Sequence, residues 1–262
     1  ISKDLTPDDV YTKLLLHFDE ATLVDSSVAP KTLTLNGVAR SSTQSKFGGY
    51  AGYFDGTDDR ISIADSDDFY FGTGNFTIDF WVKFTNVLVG AFQTFYDQAI
   101  SGQDDIVAIG YESGTNRLKM NAWWSGARTS MQYCTWVPSS DVWYHVAVVR
   151  NSANCLMFID GVSKSVTVDV PFGTLGNIAS DVWIGASHYL NGYGPLSGYL
   201  DELRISKGIA RWTSNFTPPT QAYKDPVSGG NYTIGNLPTT SGTVIAMANS
   251  GEVVGYNKMS FP

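Results

Sequence analysis

The stretch Phe76-Thr77-Ile78-Asp79-Phe80-Trp81-Val82-Lys83-Phe84 carries an apolar side chain at every second position. Successive side chains of a β-strand point to opposite faces, so this stretch predicts a strand with one continuous apolar face. We expect the core to be lined by Phe76, Ile78, Phe80, Val82 and Phe84. We expect the opposite face to carry Thr77, Asp79, Trp81 and Lys83.

Short apolar runs of the same period continue on both sides of this stretch, and turn-forming residues separate them. Regularly spaced short strands are typical of a sandwich or a barrel, and no long segment carries an apolar stripe of helical period. The sequence therefore predicts an all-β, antiparallel fold of two sheets. The other predicted strands are 14–18, 33–35, 60–64, 91–96, 106–111, 117–124, 129–137, 143–150, 155–160, 165–168, 182–186 and 199–206.

The amino-acid composition argues against two classes of partner, nucleic acids and membranes. The 262 residues include 25 acidic and 17 basic side chains, a formal net charge of −8, with 43% hydrophobic residues, enough for a substantial core. Nucleic acids and anionic membranes attract clustered Lys and Arg, and no such cluster occurs. No apolar run approaches the roughly 20 residues that span a bilayer. We therefore expect no nucleic-acid partner and no membrane insertion. The chain begins with Ile1, which indicates a processed chain or a piece of a longer one.

The chain divides into three segments. Residues 1–11 form an N-terminal lead, residues 12–224 form the sandwich, and residues 225–262 form a C-terminal extension. Pro218-Pro219 cannot donate to a strand ladder, so we expect it to lead the chain away from the sandwich. The two β-like runs of the extension, 243–248 and 252–256, are too short to form a core alone. They either pair with an edge of the sandwich or dock on another chain, and the second is favoured.

Cys134 and Cys155 are the two cysteines of the chain. Their spacing does not decide whether their Cα atoms come within the roughly 4.4–6.8 Å that a disulfide needs. Two free thiols packed as small apolar groups are the preferred interpretation, and one disulfide is the alternative.

Asp201 has the same strand parity as Leu203 and Ile205, which predicts that its carboxylate points toward the core. A buried carboxylate needs compensation. One solution is a structural calcium ion, held together with Asp19, Asp25 and carbonyl oxygens of the first loop, since hard oxygen ligands suit that ion. The other solution, which is favoured, is hydrogen bonding from backbone amides of an adjacent turn.

Trp81 and Trp123 each lie on the polar face of a predicted strand, so both are candidate platforms for stacking against a sugar. An outward tryptophan is more often covered by a loop, by another subunit or by a terminal segment. Glycan stacking is therefore the minority interpretation for each.

Several segments together resemble the laminin G-like, concanavalin A-like jelly roll over roughly residues 12 to 223. They are Leu15-Leu16-His17-Phe18-Asp19, Lys46-Phe47-Gly48, Tyr53 to Asp59, Phe76 to Val82, Trp143 to Ala147, Phe158-Ile159-Asp160-Gly161, Ile184-Gly185 and Leu200 to Ser206. The resemblance implies a two-sheet jelly-roll sandwich. It leaves function open, because this fold hosts lectins, adhesion modules, glucanases and structural proteins.

Glucanases with this fold use a Glu-x-Asp-x-x-Glu strand, in which two carboxylates lie about 5–5.5 Å apart. This spacing does not occur in the sequence, so we do not expect an enzyme. The loop from Ser187 to Tyr193 corresponds to a calcium-binding loop of pentraxins, relatives within the same superfamily, but it contains no acid. It predicts a glycan-binding edge instead. Tyr189 and Tyr193 offer flat apolar faces, and His188 and Asn191 offer hydrogen bonds.

The ending Ser206-Lys207-Gly208-Ile209-Ala210-Arg211-Trp212, followed by Asn215 to Thr220, is similar to the way such domains finish in bacteriophage structural proteins. This similarity implies a virion location, contact with other virion proteins and a homo-oligomeric assembly. The leading hypothesis is a lectin-like module that binds a glycan or a host surface through its edge loops. The alternative is an architectural protein that decorates a capsid or tail and is anchored by residues 225–262.

Overall fold

The computed structural model describes residues 10–100, 105–188 and 194–225, together with the backbone of two short strands near the C-terminus. Two eight-stranded antiparallel sheets, named here sheet A and sheet B, form a sandwich that confirms the predicted jelly-roll class. In the described part, the helical element is one 3-10 turn, Asp67–Phe69. None of the described helical segments is long and apolar enough to cross a membrane.

Sheet A contains the 76–84 strand at its centre, paired on one side with the strand 143–151 and on the other with the strand 197–207. Its strands are β1 (Thr12–Leu16), β3 (Ala39–Ser41), β4 (Ala51–Asp55), β6 (Phe76–Phe84), β11 (Trp143–Asn151), β12 (Asn154–Ile159), β13 (Val162–Ser163) and β16 (Ser197–Lys207). Their order is β13-β12-β11-β6-β16-β4-β3, and β1 pairs with the second half of β16.

Sheet B carries the other inner face of the sandwich. Its strands, in spatial order, are β14 (Val166–Val170), β10 (Ala127–Thr135), β9 (Arg117–Trp124), β8 (Ile106–Glu112), β7 (Phe92–Ala99), β15 (Val182–Ile184), β5 (Arg60–Ile63) and β2 (Leu33–Asn36). Near the C-terminus, β17 (Val244–Met247) and β18 (Val253–Asn257) pair with each other as a separate two-stranded sheet.

The core lies between the two sheets, and β6 supplies its central row as predicted. All five apolar residues of β6 belong to the main core cluster and are fully buried. Cys134 and Cys155 are free, buried thiols in the same cluster, which confirms the preferred interpretation of the cysteines. Burial raises the pKa of the Cys134 thiol to about 11, so both thiols act as small apolar groups.

A tight hairpin joins β12 to β13. Asp160 and Gly161 both have positive φ, 51° and 72°, as a type I′ turn requires. Glycine is needed at 161 for a second reason, because a Cβ atom there would lie 2.0 Å from the carbonyl oxygen of Phe216. The turn is therefore a docking point for the segment that follows the last strand.

Residues 209–225, named here the C-terminal strap, fold back over the outer face of sheet A. Trp212 and Phe216 stack with ring centroids 4.1 Å apart and pack against Ala147, Val149 and Phe158 of β11 and β12. Tyr223, which follows the two prolines, is also buried and donates hydrogen bonds to Glu202 and Asp79. The expectation that Pro218-Pro219 leads the chain away from the sandwich is therefore wrong for this segment. The physical reason is that β11 and β12 carry an apolar patch on the outer face of sheet A, and the strap covers this patch.

A polar network lies buried beneath the strap. Arg204 donates two hydrogen bonds to the Asp79 carboxylate, from Nε at 3.1 Å and from an Nη at 3.2 Å, and the Tyr223 hydroxyl donates a third. Burial alone would raise the pKa of Asp79, but Arg204, with His145 and Tyr223, holds it at about 2. Thr77 and Asp79 of β6 are as deeply buried as its apolar residues.

A second ion pair fastens the end of the strap. His17 lies 2.8 Å from Glu202 and 2.9 Å from Asp225. Burial lowers the pKa of His17, but the two carboxylates outweigh that effect and raise it to about 9. His17 is therefore positively charged at neutral pH, and it links the end of β1 to Glu202 of β16 and to Asp225.

Candidate functional site

An open groove lies on the part of sheet A that the strap leaves uncovered. We name it the tyrosine groove, and its volume is about 290 Å³. It is lined by Ala39, Arg40, Ser41, Ser42, Thr43, Tyr53 and Tyr199. The rings of Tyr53 and Tyr199 are 5.2 Å apart, inclined by 42°, and both are half-buried. The groove thus combines two flat apolar surfaces with hydroxyl groups on its rim.

Strand register places these groups together. Tyr199 of β16 lies opposite Tyr53 of β4, and Tyr53 lies opposite Ala39 of β3. On the other side, Tyr199 lies opposite Lys83, which lies opposite Trp143. Residues in register share one face of a sheet, so the row continues beyond the groove to the ring of Trp143, whose centroid is 6.5 Å from that of Tyr199.

His188 is the residue of the predicted edge site that lies within the described part of the chain, and it lies beside sheet B. Asp97, fully buried on β7, accepts hydrogen bonds from the His188 amide at 3.0 Å and from the Ser187 hydroxyl at 2.9 Å. The His188 ring stacks on Trp183 of β15 at 3.4 Å, and Arg60 covers the same indole at 4.4 Å. His188 is therefore held in place by its neighbours. Tyr189, Asn191 and Tyr193 lie outside the described residues.

Trp123 lies on the outer face of sheet B, as predicted. It is half-buried beside Ala99, Ile106 and Ala108, and the guanidinium of Arg128 lies 4.6 Å from its ring centre. The outer face of sheet B therefore carries Trp123 and His188, whereas the tyrosine groove lies on sheet A.

Trp81 faces away from the core, but it is only 5% exposed. Phe47 and His145 meet its ring edge-on, and the Lys46 ammonium lies 3.9 Å from its centre. Trp81 is therefore covered by a loop, which was the favoured interpretation of this residue, whereas glycan stacking was the minority interpretation. Period-2 alternation carries no information about such a cover.

Asp201 is fully buried, but it does not face the core. The pairing of β16 with β6 slips between Asp201 and Arg204, where Glu202 has a φ of 49°. Such a bulge shifts the side-chain alternation by one residue. Asp201 consequently lies opposite Trp81 on the outer face, and Leu203 returns to the core. The predicted direction of Asp201 is therefore wrong.

Backbone amides bind the Asp201 carboxylate, as the favoured alternative requires. Its Oδ2 accepts from Lys46 N at 2.6 Å and from Phe47 N at 3.1 Å. Burial raises the pKa of Asp201, and the negative charges of Glu202 and Asp19 raise it further. The two hydrogen bonds lower it, but the net result is a pKa of about 8.

Asp25 and Asp19, the other two predicted calcium ligands, have different surroundings. Asp25 Oδ1 accepts from Leu15 N and Ser27 N, and Oδ2 accepts from Ser27 Oγ and Lys31 N. Both carboxylate oxygens of Asp25 are thus engaged by protein donors. Asp19 accepts only one such bond among the described residues, from Tyr50 N at 3.2 Å.

One group of three acids among the described residues has ligand atoms within 4.8 Å of one another, and it consists of Asp55, Asp58 and Asp59. Asp59 Oδ2 accepts from Asp55 N, and Asp55 Oδ1 accepts from Thr57 N. These bonds are those of a polar turn, so the group carries no site by itself.

Comparison with known proteins agrees with this architecture. Domain 4 of AbnA, a GH43 extracellular arabinanase from Geobacillus stearothermophilus solved with arabinotriose, is 18% identical with a TM-score of 0.52, over 78% of this chain and 95% of that one. The binding domain of botulinum neurotoxin serotype C1 is 15% identical with a TM-score of 0.58, over 78% and 50%. The binding domain of botulinum neurotoxin DC, solved with SialylT, is 14% identical with a TM-score of 0.54, over 78% and 49%.

The chain spans about half the length of these neurotoxin binding domains. At such identities the likeness shows the fold alone. No curated protein matches the sequence. Residues 55–211, more than half of the chain, match the Laminin_G_3 family, described as the concanavalin A-like lectin/glucanases superfamily. The chain belongs to that superfamily, in its laminin G-like family.

Proposed function

We propose that this chain is a non-catalytic glycan-binding module that holds a sugar in the tyrosine groove. The observation that carries the proposal is the pairing of Tyr53 and Tyr199 on the floor of an open groove of about 290 Å³. A pyranose or furanose ring has apolar C–H faces and a polar edge. A site for it needs aromatic faces together with a few hydrogen-bonding groups.

The rim of the groove supplies the polar part. Ser41, Ser42 and Thr43 carry hydroxyls that donate and accept, and Arg40 carries a guanidinium that donates only. Among the described residues, none that lines the groove carries a carboxylate. The groove therefore has groups for recognition but lacks the acid pair that glycoside hydrolysis requires.

The fold neighbours support a glycan as the class of ligand. One, a domain of an extracellular arabinanase, was solved with arabinotriose, and another, a neurotoxin binding domain, was solved with SialylT. A neurotoxin domain of the same fold was also solved with rat synaptotagmin II, so a protein receptor is the competing class of ligand.

We expect Tyr199→Ala and Tyr53→Ala each to weaken glycan binding at least tenfold, because each removes one of the two stacking faces and a tyrosine at a recognition centre contributes about 1.4 kcal/mol or more. Affinity electrophoresis against a panel of neutral and acidic polysaccharides identifies the ligand class, with arabinotriose and a sialylated oligosaccharide as soluble competitors. Titration calorimetry with the best soluble member then gives the affinity.

Tyr133→Ala is the matched control, since Tyr133 is a half-buried tyrosine on the outer face of sheet B. It should leave affinity unchanged. Trp183→Ala tests the predicted edge, because it removes the ring on which His188 stacks. Loss of binding in Trp183→Ala with full binding in Tyr199→Ala would move the site from the groove to the edge around His188. Absence of binding to every glycan would refute the proposal.

The architectural alternative rests on a separate observation. Among the described strands, β17 and β18 pair only with each other. A two-stranded hairpin is marginal in water by itself, which favours docking on another chain. A chain truncated after Asp225 retains the contact between Asp225 and His17. If the extension assembles copies, light scattering gives a multimeric mass for the full chain and a monomeric mass for the truncated chain. A monomeric mass for the full chain would refute self-assembly.

Location on a phage particle stays a prediction. It rests on the resemblance of the segment 206–220 to the endings of phage structural domains, and the same holds for binding to other virion proteins. A host cell surface is the corresponding source of glycan under that prediction.

A further inference from the structure

A row of aromatic side chains crosses the outer face of sheet A, and the tyrosine groove occupies one end of it. Strand register places Tyr53, Tyr199 and Trp143 on this face, with Lys83 between the last two. The ring centroids of Tyr53 and Tyr199 are 5.2 Å apart, and those of Tyr199 and Trp143 are 6.5 Å apart. All three rings are half-buried, so each keeps part of its surface in solvent. Trp143 is therefore the next aromatic surface along the row, beyond the residues that line the groove.

The polar atoms at the tips of these rings are available to a ligand. Among the described residues, the hydroxyls of Tyr53 and Tyr199 and the indole N–H of Trp143 make no hydrogen bond to the protein, and none of the three is buried. Other tyrosine hydroxyls of the described part bond to protein groups, for example those of Tyr96, Tyr111, Tyr144 and Tyr223. An aromatic side chain with a free polar tip suits recognition, because it stacks with its face and forms hydrogen bonds with its tip.

The surface between Tyr199 and Trp143 is continuous. Lys83 lies between them in the register and is only 9% exposed, so its side chain does not stand up between the two rings as a barrier. Its ammonium donates to Gln44 Oε1 at 2.6 Å, next to the groove, and lies 3.7 Å from Asp141 Oδ1. Lys83 therefore joins the rim of the groove to the acidic group at the other end of the row.

Asp141 supplies an exposed hydrogen-bonding group at the Trp143 end. It lies two residues before Trp143, its amide donates to the Phe84 carbonyl at 2.8 Å, and its side chain is 74% exposed. An ionised carboxylate only accepts hydrogen bonds, and its two oxygens suit two neighbouring hydroxyls of one sugar ring. The Trp143 end thus repeats the pattern of the groove, an aromatic face beside a group that binds hydroxyls.

We propose that the tyrosine groove is one subsite of a longer site, whose ligand is a linear oligosaccharide that crosses the strands of sheet A. One sugar unit stacks on Tyr53 and Tyr199. The next unit stacks on Trp143 and donates from neighbouring hydroxyls to Asp141. This inference rests on the proposed function and adds to it the length and direction of the ligand.

The competing ligand is a single sugar held in the groove alone. Such a sugar leaves Trp143 uncovered, because the ring of Trp143 begins a second surface 6.5 Å from that of Tyr199. A chain of two or more units covers both surfaces. The dependence of affinity on chain length therefore distinguishes the two ligands.

The test is titration calorimetry with size-fractionated oligomers of one to four units, prepared from the polysaccharide that is retained most strongly in affinity electrophoresis. The single sugar is measured by competition. Wild-type affinity should rise at least tenfold from the single sugar to the two-unit oligomer, because the second unit gains an aromatic contact. This rise should vanish in Trp143→Leu, with the affinity for the single sugar unchanged. Trp143→Tyr keeps a flat aromatic face and should restore most of the rise.

Trp123→Leu is the matched control, since Trp123 is a half-buried tryptophan on the outer face of sheet B. It should leave the dependence on chain length intact. Asp141→Ala should lower the affinity for the two-unit oligomer by about fivefold and leave that for the single sugar unchanged.

Equal wild-type affinity for one unit and for four would overturn the inference. So would a rise that persists in Trp143→Leu or is lost in Trp123→Leu. The proposed function survives these outcomes as long as Tyr199→Ala weakens binding at every chain length. If no polysaccharide is retained at all, it is the proposed function that fails.

Discussion

Replacing Asp79 by Asn should destabilise the folded protein by about 3–5 kcal/mol, the usual cost of breaking a buried ion pair from one side. Asp79 is fully buried and receives two bonds from Arg204, which is itself 2% exposed. Asparagine preserves the shape of the side chain and one acceptor. It removes the carboxylate charge that faces the buried Arg204 guanidinium. Urea unfolding followed by tryptophan fluorescence gives the free energy.

Two further variants show whether the lost charge causes the loss of stability in Asp79→Asn. Asp141→Asn breaks an exposed ion pair, because Asp141 is 74% exposed and 3.7 Å from Lys83, and it should cost less than about 0.5 kcal/mol. Arg204→Gln in the Asp79→Asn background removes the remaining charge, so the double variant should be more stable than the sum of the single losses predicts. A loss below 1 kcal/mol in Asp79→Asn would show that other contacts compensate Arg204.

The Asp79–Arg204 ion pair should also make the free energy of unfolding depend on pH. The folded-state pKa of Asp79 is about 2, below the ordinary value of 3.8. A carboxyl with a lowered pKa stabilises the folded state above its unfolded pKa, and this contribution disappears as the pH falls through the folded value. The difference in unfolding free energy between wild type and Asp79→Asn should therefore be constant above about pH 5 and shrink between pH 4 and pH 2.

The alternating strands were predictable because their signal is local. In β6 each side chain reports its own face, and all five predicted core residues lie in the core. The bulge at Glu202 was not predictable in this way. A positive φ is uncommon for glutamate, and no glycine or proline marks the slip. Because one inserted residue reverses the alternation, the direction of Asp201 was assigned to the wrong face.

The tyrosine groove was missed for a different reason. Its walls come from β3 and β4, which are short and do not alternate clearly. Tyr53 and Tyr199 are far apart in the chain, and only the register of β4 on β16 brings them together. The burial of Trp81 is equally non-local, since it depends on where residues 46 and 47 cross the sheet. A sequence pattern specifies the face of a strand, but it does not specify what covers that face.

Trp212→Ala should cost about 3–5 kcal/mol, the range for truncating a buried tryptophan. Trp212 is 8% exposed, stacks on Phe216 and meets the His145 ring edge-on at 5.6 Å. Its removal eliminates the packing of the strap against Ala147, Val149 and Phe158 at this position. Urea unfolding measures the loss. Limited proteolysis should in addition show faster cleavage near Lys224, because a loosened strap exposes its backbone.

Trp123→Ala is the control for loss of a tryptophan as such. Trp123 is half-buried on sheet B with solvent on one side, so its truncation should cost clearly less than that of Trp212. Equal losses in the two variants would mean that the strap adds nothing beyond ordinary apolar burial. Unchanged proteolysis in Trp212→Ala would mean that Phe216 and Tyr223 hold the strap without it.

Combining Trp212→Ala with Asp79→Asn tests the link between the strap and the network beneath it. The Arg204 guanidinium lies 5.6 Å from the Trp212 ring centre and 3.9 Å from that of Tyr223, so these rings keep water from it. Once the strap loosens, water can solvate the guanidinium, and its dependence on the Asp79 charge decreases. The double variant should therefore lose less than the sum of the two single losses, by about 1 kcal/mol or more. Strict additivity would mean that Arg204 remains dry without Trp212, and that the polar network, rather than the aromatic cover, excludes water from this face.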